Sequence, residues 1–265
     1  MPIGEHNHMV ASNRVTRFLT KFLGTLDLHS HIRLSPILDY FKIKFKNQPK
    51  DFKIFELGCG NGNFAFMLDK IATKIGTKII YTGTDSNAGE IGKANELLSH
   101  KKFKSSFVFH NEDATAFLKN KDIANIDTIL LLDFIEHIKD VESLLFLTRA
   151  MLNNGGIYVI SVPTPRYSSY FGQTFHKRIG HVKNGYTVNE LDEIFINKLG
   201  CARVFAKYNT GIFSNVGCWL YYNIFRTSNK YLRFLKGLVL YIFRFTDFYN
   251  SPQVSCTLFT VYEKK

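Results

Sequence analysis

From residue 51 onward, short apolar runs alternate with stretches of helical periodicity. The runs are rich in Ile, Val, Tyr and Phe, and they lack the strict apolar–polar alternation of a sheet with one wet face. The predicted strands are KIFEL (53–57), IIYTGT (79–84), FVFH (107–110), DTILLLD (127–133) and GIYVISV (156–162). Repeated strand–helix units of this kind predict an α/β, doubly wound fold: a mostly parallel sheet with helices on both faces.

The rest of the chain is arranged around this core, which we place at residues 51–211. Residues 1–50 contain the periodic stretch RLSPILDYFKIKF and predict an N-terminal helical lead-in. Residues 212–250 are too many for a hairpin loop, so they predict a helical insertion with its own structure. Residues 251–265 then return the chain to the core as its last strand.

Three further elements are predicted near the end of the core. Thr187 and Glu190 have the spacing of a capping box, and Gly200 follows the last periodic residue as a helix stop. The runs ARVFAKY (202–208) and VSCTLFTVY (254–262) indicate the last two strands.

The first predicted strand continues directly into three glycines at alternate positions, Gly58, Gly60 and Gly62, before a helix pattern begins at Asn63. A strand, a glycine loop and a helix N-terminus together expose backbone N–H groups and let a ligand pack against bare main chain. The pattern therefore predicts a nucleotide-like cofactor. The alternative is a tight turn that needs glycine for its own conformation.

The next two strands end in groups that suit such a cofactor. Asp85 ends the second strand, where a carboxylate can accept both hydroxyls of a ribose, and Ser86 adjoins it. The alternative is a helix N-cap, and the two interpretations are compatible. Asp113 and Ala114 follow the third strand and offer a polar group beside a small gap, although an ordinary solvated turn explains them equally well. Ligands of open α/β sheets bind at these carboxyl ends, so the three strand ends together indicate one site.

These motifs resemble those of a known family. FELGCGNGNF resembles motif I of the class I S-adenosylmethionine-dependent methyltransferases, an acid followed by G-C-G-x-G. YTGTDSN is similar to the family's ribose motif, EDAT to its adenine motif, and LLLDFIEHIKD to its fourth-strand segment. MLNNGGIYVISVP resembles the entry to the fifth strand. GHVKNGYTVNEL resembles a segment of the subgroup that includes ubiquinone-pathway O-methyltransferases and cell-surface-glycan methyltransferases.

The resemblance implies a Rossmann-like sheet of seven strands with the final strand antiparallel, and S-adenosylmethionine as cofactor. It also implies a role for each matching residue. The glycines would face the methionine part, with Glu56 fixing the loop or meeting the amino group; Asp85 would bind the ribose; Asp113 and Ala114 would bind the adenine; Asp133 and Phe134 would lie beside the methyl donor.

The acceptor chemistry is less constrained. A hydroxyl acceptor must lose its proton, and His is best suited to remove it near neutral pH. The candidate bases are His137, His176 and His181. For His137 the alternative is a structural pair with Glu136, and for the other two a structural role is favoured. The place where related amino-directed nucleic-acid enzymes carry N/D-P-P-Y/F reads DFIE, so a nucleic-acid substrate is not favoured.

The formal net charge of +12 suggests an anionic partner, and part of this charge lies in the insertion. On a helix over 219–246, five basic residues would share one edge of an otherwise apolar and aromatic surface: Arg226, Lys230, Arg233, Lys236 and Arg244. This pattern is typical of a helix at an anionic membrane surface. The alternative is a lid over the active site or a dimer contact.

Cysteine spacing and hydropathy complete the expectations. Cys59, Cys201, Cys218 and Cys256 lie far apart without a C-x-x-C pair, so their spacing predicts neither a zinc site nor a disulfide framework. The chain shows no secretory signal and no conventional membrane span, which favours a cytoplasmic protein, peripheral at most. The leading hypothesis is methyl transfer to a hydroxyl of a small molecule, sugar or lipid-linked acceptor. N-methyl transfer and a non-catalytic cofactor-binding protein are the alternatives.

Overall fold

The computed structural model describes residues 28–48, 51–120, 123–172, 180–223 and 250–265. Its strands are β1 (Phe52–Leu57), β2 (Ile79–Asp85), β3 (Ser106–Asn111), β4 (Ile126–Leu132), β5 (Leu152–Pro163), β6 (Cys201–Tyr208) and β7 (Thr257–Lys264). Its helices are α1 (Leu28–Asn47), α2 (Asn63–Ile75), α3 (Ala88–His100), α4 (Ala114–Asn120), α5 (Val141–Met151), α6 (Tyr167–Phe171), α7 (Val188–Asp192) and α8 (Ile212–Asn223). Each predicted strand is present, with its ends shifted by a few residues.

The seven strands form one sheet in the order β3-β2-β1-β4-β5-β7-β6. The first five are parallel, and β7 runs antiparallel between β5 and β6. The order reverses between β1 and β4, because β2 and β3 lie on one side of β1 and β4 and β5 lie on the other. Ligands of open α/β sheets bind at such a switch point, which here lies at the carboxyl ends of β1 and β4. The predicted doubly wound fold is confirmed, and so is its antiparallel last strand.

Alternate residues of the central strands enter two separate cores, one on each face of the sheet. In β1, Phe55 and Leu57 pack in one core with helices α4 and α5, whereas Ile54 packs in the other with α1 and α2. Both sets are fully buried. Burial on both faces explains why the strands read as continuous apolar runs.

Helix α1 confirms the predicted periodic stretch. Leu34, Ile37, Phe41 and Phe45 recur every three or four residues and are buried against the sheet face that also carries α2. This packing brings Arg33, near the start of α1, to Asp133 at the carboxyl end of β4.

The helix after residue 187 begins as predicted. Thr187 and Glu190 form a reciprocal capping box, and Gly200 has the left-handed φ of 65° expected of a helix stop. The helix is not uniform, however, because α7 continues into a π-helical stretch over Glu193–Lys198. There the Leu199 N–H donates to the Ile194 carbonyl, a bond that spans five residues.

The predicted insertion is only partly described. Helix α8 begins it and packs against α1 and α6. Residues 224–249 lie outside the described residues, and with them most of the predicted helix 219–246 and its five basic residues. Among the helices that are described, none is both long and apolar enough to cross a membrane. The four cysteines form no disulfide bonds and are buried.

Candidate active site

The glycine loop between β1 and α2 is held against the end of β2. Gly58, Gly60 and Gly62 have φ values of 72°, 53° and 70°, which is the left-handed region that glycine enters without strain. The Gly58 and Cys59 N–H groups both donate to the Thr84 carbonyl, at 2.9 and 3.0 Å. The loop is therefore a formed feature of the protein rather than an extended linker.

The three glycines serve different purposes. A Cβ on Gly58 would lie 2.6 Å from the Phe134 ring, and a Cβ on Gly62 would lie 2.6 Å from the Phe109 ring. These two positions are closed by the protein's own side chains. A Cβ on Gly60 would meet nothing within 4 Å. Only Gly60 turns its bare face to open space, as a residue that cradles a ligand must.

Asp85 ties the end of β2 to this loop. Its Oδ2 accepts the Gly60 N–H at 2.9 Å, and its Oδ1 accepts the Asn87 N–H at 2.8 Å. Each carboxylate oxygen can accept a second hydrogen bond, so the group has capacity left for ribose hydroxyls. Ser86 beside it is exposed. The helix cap proposed as an alternative is Asn87, which accepts from Gly89 and Glu90.

The end of β3 joins the same edge. The Glu112 N–H and the Asn111 side-chain amide both donate to the Asp85 carbonyl, at 3.1 Å each. Asp113 is exposed, and its Oδ1 accepts the N–H groups of Thr115 and Ala116, so it caps α4. Ala114 is buried. The predicted turn is thus a helix cap, and its other carboxylate oxygen adds acceptor capacity to this edge.

Glu56, in β1, is buried beneath the glycine loop. Its side chain is fully buried within the sheet layer and accepts a hydrogen bond from the hydroxyl of Tyr81 in β2. Burial raises the pKa of Glu56 to about 8, against the lowering effect of the Tyr81 hydroxyl. At neutral pH the side chain is therefore largely protonated, and it links β1 to β2 beneath the glycine loop.

The end of β4 brings in a residue of α1. Asp133 has a φ of 49°, unusual for a residue other than glycine, and its N–H donates to the Ser161 carbonyl at 2.7 Å. Its carboxylate forms an ion pair with Arg33. Phe134, which follows, packs its ring on Gly58. The structure thereby places Asp133 and Phe134 directly beside the glycine loop.

Hydrogen bonds join residues 136–137, which follow Phe134, to residues 180–183; we call this connection the clasp. The carbonyl of Glu136, in a single 3₁₀ turn over Ile135–His137, accepts the N–H groups of Val182 and Lys183 at 2.9 and 3.2 Å. The Nδ1 of His137 lies 3.1 Å from the Gly180 carbonyl. These bonds join two segments that are more than forty residues apart in the chain.

The clasp assembles a carboxyl group and two imidazoles. The rings of His137 and His181 are 4.7 Å apart between centroids, and Nε2 of His181 lies 4.0 Å from Oε1 of Glu136. Glu136 is completely buried, and burial raises its pKa well above the usual range. His137 is exposed. The third candidate base, His176, lies outside the described residues.

Sequence reasoning missed Arg33, and it treated Glu136 only as a structural neighbour of His137. Arg33 stands at the head of the periodic stretch of α1, but helical periodicity does not tell which distant carboxylate an arginine meets. The sequence did contain a signal for Glu136. The pair Glu136-His137 lies in the segment after β4, and Glu136 follows Asp133 by three residues.

Comparison with known proteins gives a consistent result. The model of a methyltransferase domain family matches residues 49–202. A ubiquinone biosynthesis O-methyltransferase of Pelagibacter ubique (strain HTCC1062) is 24% identical over 135 residues, which are 51% of this chain and 52% of that protein. The alignment thus spans about half the length of this curated relative.

Solved structures share the fold. A SAM-dependent methyltransferase from Archaeoglobus fulgidus has a TM-score of 0.57 at 18% identity, covering 95% of this chain and all of that one. The plantazolicin methyltransferase BamL, bound to a triazolic desmethylPZN analog and SAH, has a TM-score of 0.57 at 14% identity, covering 96% and 92%. Phosphoethanolamine N-methyltransferase 2 of Haemonchus contortus, bound to S-adenosyl-L-methionine, has a TM-score of 0.59 at 15% identity, covering 94% and 59%.

Proposed function

Because this chain belongs to the methyltransferase domain family and is a class I S-adenosylmethionine-dependent methyltransferase, we propose that it methylates a hydroxyl oxygen of a small molecule, sugar or lipid-linked acceptor. The sulfonium of S-adenosylmethionine supplies an activated methyl group. What the protein must add is alignment of the acceptor oxygen with that methyl group, and removal of the hydroxyl proton.

We assign the cofactor to the crevice at the carboxyl ends of β1, β2 and β3. The open face of Gly60 would receive the methionine part, between Gly58 and Gly62. The free acceptor capacity of Asp85, with Ser86 beside it, would receive the ribose, and Asp113 with Ala114 the adenine. Glu56 supports this crevice from beneath through Tyr81.

The observation that carries oxygen transfer is the position of the Glu136–His137–His181 cluster. Phe134 touches Gly58 in the cofactor loop, and His137 follows Phe134 by three residues with its ring exposed. A group that removes a hydroxyl proton must lie within reach of the oxygen attacking the methyl carbon. A neutral amine acceptor has a lone pair at nitrogen and needs no such group, so the cluster favours oxygen over nitrogen.

The similar proteins include enzymes named for methyl transfer to oxygen and to nitrogen. The curated relative is named as an O-methyltransferase, whereas the Haemonchus contortus protein is named as an N-methyltransferase. N-methyl transfer is therefore the main rival within the enzyme class. A non-catalytic cofactor-binding protein is the rival outside it.

The acceptor is identified by following a methyl label. Methyl-labelled S-adenosylmethionine is incubated with the full chain and a whole-cell lysate, and label is sorted into lipid, aqueous small-molecule, protein and nucleic-acid fractions. We expect label in the lipid or small-molecule fraction, and a methoxy group in the product by nuclear magnetic resonance. Asp85→Ala is the matched control and should transfer almost none. An N-methyl product would refute oxygen transfer, and cofactor binding without transfer would favour the non-catalytic rival.

We also propose that residues 212–250 make peripheral contact with an anionic membrane surface, at the inner face of the cytoplasmic membrane. Helix α8 leaves one apolar stripe exposed to solvent, formed by Ile212, Phe213, Val216 and Trp219. A stripe of this kind at the start of a basic segment suits the boundary between headgroups and acyl chains. The rival is a lid that closes over the acceptor.

Vesicle co-sedimentation separates these two roles. The full chain should sediment with phosphatidylglycerol vesicles but not with phosphatidylcholine vesicles, and replacing Arg226, Lys230 and Arg233 by Gln should abolish it. The matched control replaces the exposed Lys101, Lys102 and Lys104 by Gln, with the same loss of charge, and should still sediment. A wild-type chain that stays in solution would favour the lid.

A further inference from the structure

The Glu136–His137–His181 cluster has the composition of a metal site. One ligand atom from each of the three residues lies within 4.8 Å of the other two. One carboxylate and two imidazoles are a common donor set for divalent metal ions in proteins. We propose that this cluster binds a divalent transition-metal ion, with Zn²⁺ as the best-matched candidate, beside the methyl-donor position.

The buried carboxylate of Glu136 is the first argument. The side chain is completely excluded from solvent, and neither of its oxygens has a hydrogen-bond partner among the described residues. An unpaired carboxylate in such a place costs several kcal/mol unless a cation or a proton compensates it. The cationic Arg33 nearby already pairs with Asp133. A metal ion would compensate the Glu136 carboxylate directly.

The orientation of His137 is the second argument. A carbonyl oxygen can only accept, so the Nδ1 that lies 3.1 Å from the Gly180 carbonyl must carry the ring proton. The lone pair then lies on Nε2. A histidine that donates one ring N–H to a backbone carbonyl and keeps its other nitrogen for the ion is the usual arrangement of a metal ligand.

The clasp supplies the third ligand in a fixed place. His181 lies between Gly180, which contacts His137, and Val182, which donates to the Glu136 carbonyl. Its side chain is only 6% exposed. A direct ion pair between His181 and Glu136 is the simpler explanation. However, the 4.0 Å between Nε2 and Oε1 is too long for a hydrogen bond. Such a pair also does not explain why His137 lies beside them.

The spacing suits an ion that draws the ligands inward. Nitrogen and oxygen ligands lie about 2 Å from Zn²⁺, so two ligands of one ion are at most about 4 Å apart. The present separations therefore need to close by about 1 Å, which small side-chain rotations provide. Three protein ligands also leave a coordination position open, as in catalytic zinc sites. Imidazole nitrogen favours Zn²⁺, Fe²⁺ or Ni²⁺ over Mg²⁺ and Ca²⁺, which prefer oxygen.

The catalytic consequence, which rests on the proposed oxygen transfer, concerns the acceptor. A hydroxyl that occupies the open position would lose its proton to solvent or to a nearby base more readily, because the ion lowers its pKa. The ion would thus perform the task that a histidine base performs otherwise. The binding of the ion itself does not depend on the nature of the acceptor.

Direct metal titration tests the proposal. The full chain is treated with chelator, desalted and titrated with Zn²⁺ by calorimetry, and with Co²⁺ as a spectroscopic probe of the ligand field. We expect Glu136→Gln, His137→Ala and His181→Ala each to weaken the tightest Zn²⁺ site by about 100-fold or more, since the loss of an outer-shell partner alone costs about 10- to 100-fold. His100→Ala removes an exposed histidine from the end of α3 and should bind as the wild type does, which controls for the other histidines.

Two outcomes would overturn the proposal: absence of Zn²⁺ binding by the wild type, or wild-type affinity in His137→Ala. His137→Ala removes the contact with Gly180 but leaves the two backbone bonds from Val182 and Lys183 to the Glu136 carbonyl. Because the His137 side chain is exposed, this variant should fold even if the buried Glu136 variant does not. The labelling assay, repeated with chelator, keeps the two proposals apart. Undiminished O-methyl transfer in chelator would sustain the proposed function and refute the catalytic role of the ion. Zn²⁺ binding at this cluster with nitrogen as the methylated atom would sustain the metal site and refute the proposed oxygen transfer.

Discussion

Replacing Asp85 with alanine is expected to lower the affinity for S-adenosylhomocysteine by about 100-fold or more, because charge-assisted hydrogen bonds contribute about 1.5–3 kcal/mol each. The substitution removes the proposed acceptor for the ribose hydroxyls. It also removes the Oδ2 atom that holds the Gly60 N–H at 2.9 Å, so the loop against which the cofactor packs loses its anchor. Isothermal calorimetry with S-adenosylhomocysteine measures the loss without any need for the acceptor.

Asp127→Ala is the matched control for this variant. Asp127 also accepts hydrogen bonds, among them one from the Lys53 N–H at 2.9 Å and one from the Asn153 side chain at 3.2 Å. It lies, however, at the start of β4, at the amino edge of the sheet. Both variants should lose stability, and only Asp85→Ala should lose the cofactor. Equal affinities in the two variants would show that the ribose is not bound at the end of β2.

The fold was predictable because it depends on local pattern. Buried strands on both faces of a parallel sheet give apolar runs, and Ile54 and Phe55 enter opposite cores although they are neighbours in the chain. Glycines after β1 and acids after β2 and β3 mark the carboxyl edge in the same local way. The capping box at Thr187 was likewise visible in four residues.

The partners of these residues were not predictable, because they are set by packing over long separations. The sequence indicates that Gly58 and Gly62 are needed, but not that Phe134 and Phe109 close their bare faces. The resemblance predicted that Glu56 fixes the glycine loop, whereas the structure buries its side chain against Tyr81.

The acceptor side depends even more on packing. The pairing of Arg33 with Asp133 needs α1 to cross the end of β4, and the meeting of His181 with Glu136 needs the clasp from 180 to 183. Neither pairing has a periodic or motif signal. The proposed cofactor half of the site is therefore indicated by local motifs, whereas the proposed acceptor half is assembled from segments that only the fold brings together.

Gly60→Ala is expected to weaken cofactor binding while the chain still folds. The added methyl group meets nothing in the protein within 4 Å, so its cost to folding is the left-handed backbone alone, about 1–2 kcal/mol. In the crevice, however, the methyl group would occupy the surface against which the cofactor packs. We expect the chain to fold and to lose S-adenosylhomocysteine affinity by about 10- to 100-fold, since a displaced close contact costs a few kcal/mol.

Gly76→Ala provides the comparison at the far end of the helix that follows the loop. Gly76 follows α2 with a φ of 87°, and a Cβ there also meets nothing within 4 Å, but it lies at the opposite end of α2, about 20 Å from the loop. The two variants should unfold at similar denaturant concentrations while only Gly60→Ala loses the cofactor. Wild-type affinity in Gly60→Ala would mean that the open face of the loop does not carry the cofactor. Because Gly58 and Gly62 are closed by Phe134 and Phe109, the cofactor would then have to lie outside the loop altogether.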